Sequence, residues 1–152
     1  MTEVAGEEME IFYCYAREDD ALRKELEIHL IGLKRSYHLK HWDDSKIKPG
    51  ESWGKTINEH LNTAEIILVL ISPYFLASDY CYSKEMPRAL ERSKQGTCRI
   101  IPILLRPTLW EDMPFSKLQL LPTDARPITS WSNRDEAFHD VVTGIGKILK
   151  TL

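Results

Sequence analysis

The sequence predicts one α/β domain, built on a five-stranded parallel sheet with helices on both faces. Two apolar runs, at 66–71 and 98–105, have the length and composition of buried strands. The segments between and after these strands carry apolar residues at the spacing of an amphipathic helix. Strand and helix therefore alternate five times in 152 residues. This alternation is typical of parallel sheets with right-handed crossovers.

The first two strand–helix units occupy residues 10 to about 61. Segment 10–15, EIFYCY, is rich in aromatic and branched residues and is predicted as the first strand. A second, short strand is predicted at 37–42, followed by a loop at 43–52. The helices after these strands are marked by Leu22, Leu26, Leu30 and Leu33, and by Trp53, Ile57 and Leu61.

The remaining three units begin with strands predicted at 64–72, 98–105 and 126–130. A helix is expected between the first two of these strands, and Pro87 restricts it because proline is tolerated only near a helix start or at a kink. The closing helix shows one apolar face, formed by Phe138, Val141, Val142, Ile145 and Leu149.

Ligand sites in such sheets lie at the carboxyl ends of the strands. Four segments are therefore expected on one rim, namely 15–20, 42–53, 72–85 and 106–110. Glu85 lies one helical turn after Cys81 in the third of these segments, and the order predicts that it stands beside the first two loops.

Composition restricts the possible functions. The formal net charge of −3, with acidic and basic residues mixed, disfavours nucleic acid as a partner. No apolar run approaches the ~20 residues that span a bilayer, so no membrane partner is expected. A polar N-terminus and an odd count of three cysteines favour the cytoplasm. Residues 1–8 are expected to be flexible and 9–152 to form the domain.

No metal and no cofactor are assigned from the sequence. His38 and His41 are three residues apart in a predicted strand and would point to opposite faces. Cys81 and Cys98 are interpreted as small buried side chains rather than nucleophiles. The sequence lacks a GxGxxG after the first strand, which argues against the usual dinucleotide-binding fold.

Several motifs in order resemble those of a TIR (Toll/interleukin-1 receptor) domain of the bacterial type, from about residue 10 to 149. They are FYCYAREDD, WDDSKIKPGESW, LVLISPYFLASDYCYSKE, IIPILLRP and PITSW. This resemblance implies a flavodoxin-like three-layer sandwich. It also implies an NAD-cleaving effector that assembles with other TIR domains, commonly in antiphage defence or cell-death signalling.

The resemblance implies site residues as well. Glu85 matches the catalytic glutamate of members that cleave NAD, and Cys81 stands where a bulky residue is frequent. The positions matching the substrate contacts are Tyr15, Ala16, Arg17, Trp42, Asp43, Ile47, Ser72 and Cys81. The loop implied in assembly contains Lys48, Pro49, Gly50 and Glu51.

One carboxylate is chemically sufficient for this reaction. The nicotinamide of NAD is already a cation and leaves as a neutral molecule, so the general acid of ordinary glycoside hydrolysis is not needed. Glu85 would stabilise the positive charge that grows at the anomeric carbon. The products expected are nicotinamide and either linear or cyclised ADP-ribose.

Other interpretations remain open at this stage. The domain could be a non-enzymatic module that acts only through TIR–TIR contacts. Glu85 could be an ordinary solvated residue, and Arg17 could pair with the acids at 18–20 instead of holding a phosphate. A phospho-accepting receiver shares the architecture, but the third strand ends at Ser72 instead of an aspartate, and the fourth leads to Arg106 instead of a lysine.

Overall fold

A four-stranded parallel sheet forms the centre of the molecule. The computed structural model describes residues 9–42, 49–50 and 52–152. The strands are β1 (Met9–Cys14), β2 (Leu39–Trp42), β3 (Ile66–Ile71) and β4 (Arg99–Leu104). Their order across the sheet is β2-β1-β3-β4. The α/β class and the parallel arrangement predicted from the sequence are confirmed.

Six α-helices surround the sheet within the described residues. They are α1 (Asp20–His29), α2 (Ile31–Tyr37), α3 (Trp53–Thr63), α4 (Pro73–Ala77), α5 (Met86–Lys94) and α6 (Arg134–Leu149). Within the same residues, no helix combines the length and apolar character needed to cross a bilayer. The predicted flexible N-terminus, 1–8, lies outside the described residues.

The alternating side chains of the strands supply two separate cores. On β3 every residue is buried, with Ile66, Leu68 and Leu70 facing the layer that contains α1 and α6. Ile67, Val69 and Ile71 face the layer that contains α3 and α5. Because successive residues of a strand point to opposite faces, a strand covered on both sides must be apolar throughout.

The predicted fifth strand at 126–130 is wrong. A short 3-10 turn, Ile128–Ser130, stands there, and Thr129 donates a backbone hydrogen bond to Leu105. The outer edge of β4 is instead occupied by Leu121, which exchanges backbone hydrogen bonds with Leu104 and Pro102. Pro127 has no N–H to donate to a neighbouring strand. The segment therefore does not extend the sheet beyond the hydrogen bond of Thr129 to Leu105.

Two helices differ in detail from the sequence expectation. The helix predicted after β1 is divided at Leu30, where α1 ends and α2 begins. The helix after β3 contains one wide π-helical turn, Cys81–Glu85, before α5 continues. Pro87 follows this π turn after Met86, inside one continuous run of helical residues at 79–94. Of the two places predicted for it, a helix start or a kink, it therefore lies at an irregularity within the helix and not at a helix start.

A buried arginine connects the helices to the amino end of the sheet. Arg92, in α5, is 5% exposed. Its guanidinium donates to the carbonyls of Leu61 at 2.8 Å, Ala64 at 2.7 Å and Thr97 at 2.9 Å. It thereby satisfies carbonyls at the end of α3 and in the turn before β4, where no intrahelical or sheet partner is available.

We expect Arg92→Met to lower the free energy of unfolding by about 2 to 4 kcal/mol, because buried carbonyls lose their donors while the apolar stem is kept. Urea denaturation followed by circular dichroism measures the change. Arg88→Met is the matched control, since Arg88 is in the same helix but its side chain is 41% exposed; it should cost no more than about 1 kcal/mol. Equal losses in the two variants would contradict the role given to Arg92.

Candidate functional site

A cavity of about 400 Å³ opens at the carboxyl ends of β1 and β3. The loop after β1 forms one side, and the segment from α4 through the π turn forms the other. The lining residues are Phe12, Tyr13, Tyr15, Ala16, Arg17, Glu18, Ile57, Tyr74, Ala77, Ser78, Tyr80, Cys81 and Glu85. The cavity therefore lies on the rim that the sequence predicted for a ligand site.

Glu85 is the buried acid of this cavity. It is only 5% exposed although it lines the wall. The Cys14 thiol, at the end of β1, donates a hydrogen bond to Glu85 Oε1 at 3.2 Å. Glutamates are rarely buried without partners, so this position excludes the interpretation of Glu85 as a solvated surface residue.

Two thiols and the carboxylate form one buried group, here called the thiol–carboxylate cluster: Cys14, Cys81 and Glu85. Their ligand-type atoms, Sγ, Sγ and a carboxylate oxygen, all lie within 4.8 Å of one another. Cys81 also donates from Sγ to the carbonyl of Tyr15 at 3.2 Å. The π turn places Cys81 and Glu85 on the same face, and β1 brings Cys14 against them.

Burial keeps the Cys14 thiol protonated. Desolvation is the main cause that raises the pKa of Cys14 well above its ordinary value, followed by hydrogen bonding to Cys81 and the charge of Glu85. Burial, and next the charge of Glu85, also raises the pKa of Tyr80 to about 12. Both groups are therefore hydrogen-bond donors near neutral pH, and neither is a general base.

Tyr15 and Arg17 line the cavity, and the buried Arg23 packs against the Tyr15 ring. Arg23 lies 5.3 Å from the Tyr15 ring centroid, and the Tyr15 hydroxyl donates to Asp20 at 3.2 Å. Arg17 is exposed and lines the cavity. Within the described residues no ion pair joins Arg17 to the acids at 18–20; Asp19 pairs with Arg106 and Asp20 with Arg23.

A buried polar network holds the two walls together. Asp19, fully buried, accepts from Arg106 Nε at 2.8 Å and from the Ser72 hydroxyl. Ser72 in turn is the N-cap of α4 and accepts the Phe75 N–H at 3.0 Å. Arg106 lies over the Tyr74 ring at 5.5 Å from the centroid. The ends of β1, β3 and β4 are thus joined through one aspartate.

The structure brings together five of the residues that the sequence assigned to the site. Tyr15, Ala16, Arg17, Cys81 and Glu85 all line the cavity. Ser72 does not: it is fully buried in the network with Asp19, and its predicted contact with substrate stays a prediction.

The remaining assigned residues are in or next to the loop after β2. Trp42 ends β2, and its side chain lies outside the described part of the chain, as do Asp43, Ile47, Lys48 and Glu51. Pro49 and Gly50, within the loop predicted at 43–52, form a turn, and Gly50 is exposed with φ at +90°.

Sequence reasoning missed Cys14, Tyr80, Glu18 and the pairing of Asp19 with Arg106. Cys14 was the easiest to find, because it is the last residue of β1 and strand ends converge on the rim. The partner of Asp19 had no such signal. Arg106 follows 87 residues later in the chain, and only the order of strands brings it near.

The sequence of this chain matches a known protein family. A family model for the TIR domain matches residues 11–142, which is most of the chain. This chain is a TIR domain. The resemblance noted in the sequence is confirmed, and the family match includes most of β1, the cavity walls and about half of α6.

A bacterial relative shares the sequence of this TIR domain closely. An uncharacterized protein of Sinorhizobium fredii, y4lF, is 43% identical over 145 residues, covering 93% of this chain. The chain spans only 45% of that relative's length. A bacterial origin of the TIR domain is consistent with this match.

Solved structures show the same fold at low sequence identity. The TIR domain of the Toll-related receptor TRR-2 from Hydra magnipapillata has a TM-score of 0.56 and 23% identity, covering 73% of this chain and 81% of its own. The heterodimer of the RPS4 and RRS1 TIR domains gives 0.56 and 12%, covering 93% and 97%. The TIR domains of the activated Roq1 resistosome, which recognises the effector XopQ, give 0.52 and 21%, covering 62% and 56%.

We expect Asp19→Asn to destabilise the TIR domain by on the order of 2 kcal/mol, because Arg106 loses its charge partner in a buried setting. The residual exposure of Arg106, 33%, keeps the cost below that of a fully buried pair. Thermal and urea unfolding measure the change. Asp79→Asn, at an exposed aspartate beside α4, serves as control and should change stability by less than about 0.5 kcal/mol. If Asp19→Asn were as stable as the control, the network would not hold the walls.

Proposed function

We propose that this TIR domain cleaves NAD⁺ at the nicotinamide–ribosyl bond, with Glu85 as the catalytic carboxylate. The observation that carries the proposal is the burial of Glu85 at the wall of a cavity lined by aromatic rings and an exposed arginine. A carboxylate held away from water interacts more strongly with a developing positive charge than one in solvent.

The chemistry fits a cavity with one buried carboxylate. Bond breaking releases neutral nicotinamide and leaves positive charge at the anomeric carbon and ring oxygen of the ribose. Glu85 stabilises this charge and accepts a hydrogen bond from a ribose hydroxyl. Water then attacks the anomeric carbon to give ADP-ribose, or a nucleophile of the same molecule closes a cyclic isomer.

The other lining residues have roles consistent with this substrate. The rings of Tyr15, Tyr74 and Tyr80 offer stacking surfaces for a planar heterocycle. Arg17 offers a charge-assisted hydrogen bond to a phosphate. The thiol of Cys14 orients Glu85 from behind and donates to it without competing for the substrate.

The size of the cavity supports dependence on assembly. A volume of about 400 Å³ is near the lower end of small-molecule sites, which span roughly 300–1,000 Å³. It suits the nicotinamide nucleotide half of NAD⁺, so the adenosine half must extend past the rim. A loop from a second TIR domain, at 43–53, would complete the site, and assembly would act as the switch.

Such a switch suits a cytoplasmic effector that depletes NAD⁺ only on demand, in antiphage defence or cell-death signalling. The RPS4–RRS1 heterodimer and the Roq1 resistosome are assemblies that contain TIR domains. The presence of TIR domains in these two assemblies also favours a second candidate function, a non-enzymatic module that acts through TIR–TIR contacts. The buried Glu85 supports the enzymatic function, since an adaptor needs no carboxylate at a cavity wall.

We expect Glu85→Gln to reduce nicotinamide release by about 10²-fold to 10³-fold in kcat, because the lost charge acts in the transition state. KM should change little. The measurement is nicotinamide release from NAD⁺ at high protein concentration, with and without a crowding agent. Glutamine keeps the volume of the side chain, so the cavity is preserved.

Two matched variants sharpen this test. Glu91→Gln alters an exposed glutamate on the adjoining helix, outside the cavity, and should leave turnover unchanged. Glu18→Gln removes the other glutamate that lines the cavity and should reduce turnover far less than Glu85→Gln. Equal losses at 18 and 85 would instead indicate a two-carboxylate mechanism, and no release by the native chain in any assembled state would favour the adaptor.

We expect Gly50→Ala to impair assembly and NAD⁺ cleavage together. A Cβ at φ +90° costs on the order of 1 kcal/mol in backbone strain, although no described atom beyond the chain neighbours of Gly50 stands within 4 Å of it. We expect this strain to shift the turn. Light scattering and nicotinamide release are measured on the same samples.

Gly32→Ala is the control for adding a methyl group. Gly32 lies in α2, its φ is outside the left-handed region, and no described atom beyond its chain neighbours and its own helix backbone stands within 4 Å of the position its Cβ would take. Assembly and turnover of this variant should match those of the native chain. Loss of turnover in Gly50→Ala with assemblies intact would contradict the proposed coupling of this loop to assembly. A dilute monomer that cleaves NAD⁺ at full rate would contradict the dependence of activity on assembly.

A further inference from the structure

The thiol–carboxylate cluster has the donor set of a metal site. We infer that Cys14, Cys81 and Glu85 bind a thiophilic divalent cation such as Zn²⁺, and that its binding withdraws Glu85 from the substrate. Two cysteine sulfurs and a carboxylate oxygen are ligands that Zn²⁺ takes in proteins. The inhibitory part of this inference rests on the proposed function, whereas the binding part does not.

The distances are close to those of a tetrahedral site. Zn²⁺ bound to sulfur and oxygen at its usual bond lengths separates neighbouring ligand atoms by about 3.5 to 3.8 Å. Here Cys14 Sγ lies 3.2 Å from Glu85 Oε1, and all three ligand atoms lie within 4.8 Å of one another. Ordinary rotation of the side chains, by roughly 1 Å at the ligand atoms, therefore suffices to reach metal-binding geometry.

The surroundings provide both a rigid support and an entry path. Cys14 is held in β1, a strand buried between β2 and β3, and is itself 0% exposed. Cys81 and Glu85 lie on one π turn and line the cavity. A cation can thus reach the cluster through the cavity, and a water molecule from the cavity would supply the fourth ligand.

Charge balance favours occupation. As the cation binds, the two thiols each lose a proton to solvent, and sulfur lone pairs form the bonds to the metal. Two protons are replaced by one doubly charged ion, so the net charge of the buried cluster does not change. The cost of burying an uncompensated charge is thereby avoided.

The consequence for catalysis is direct. A carboxylate oxygen bound to the metal no longer has its charge and lone pairs available to a ribose. Substrate cleavage and cation binding therefore exclude each other at Glu85. The site would hold the domain inactive until the cation is removed by a stronger ligand.

The binding test uses Co²⁺ as probe on the metal-free TIR domain, in anaerobic buffer with a phosphine reductant that keeps the thiols reduced. We expect thiolate-to-Co²⁺ charge-transfer absorption that saturates at one ion per chain and disappears when Zn²⁺ is added. Cys14→Ser and Cys81→Ser should each weaken binding at least about tenfold. Glu85→Gln should weaken it while the sulfur absorption persists.

Cys98→Ser is the matched control, since Cys98 is the third cysteine and lies outside the cluster. It should retain the native spectrum and affinity. Circular dichroism checks that each variant folds, and Cys81→Ala replaces Cys81→Ser if the serine variant does not. Absence of the absorption from the native chain, an unchanged Co²⁺ affinity in both cluster variants, or loss of the absorption in Cys98→Ser would overturn the site.

The activity test is separate. One equivalent of Zn²⁺ should suppress nicotinamide release, and a chelator should restore it. Full release with the cluster spectroscopically occupied would overturn the inhibitory role alone. If the metal-free chain releases no nicotinamide under any condition, the proposed function and the inhibitory role both fail, while the spectra still decide whether the cation binds.

Discussion

The fully buried carboxylate of Asp19 is the constraint on which the rim depends. It joins the loop after β1 to the N-cap of α4 through Ser72, and to the end of β4 through Arg106. A buried charge is stable only when paired and hydrogen-bonded. The three strand ends must therefore keep their mutual positions, and the cavity between them keeps its shape.

That fixed rim explains how Glu85 can be buried. The π turn, which precedes Pro87, turns Cys81 and Glu85 toward the end of β1. There the Cys14 thiol meets the carboxylate as a donor. A thiol is a weaker hydrogen-bond donor to a carboxylate than a charged guanidinium.

Most of the fold followed from hydrophobic pattern. The all-apolar run at 66–71 specified a central strand, and the leucines of α1 specified an inward face, because these periods arise from local backbone geometry. The fifth strand was wrong for one local and one non-local reason. Pro127 removes a backbone donor from 126–130, and Leu121 already pairs with the edge of β4.

The candidate site also combines features that the sequence predicts with features that depend on tertiary contacts. The sequence by itself determined the fold class, the rim on which loops converge and the position of Glu85 on that rim, since strand ends are local features of the chain. Only the tertiary structure decided that Cys14 donates a hydrogen bond to Glu85 and that Asp19 forms an ion pair with Arg106. These contacts join residues 71 and 87 positions apart. Parallel strand order, set by packing of the whole core, is what brings them together.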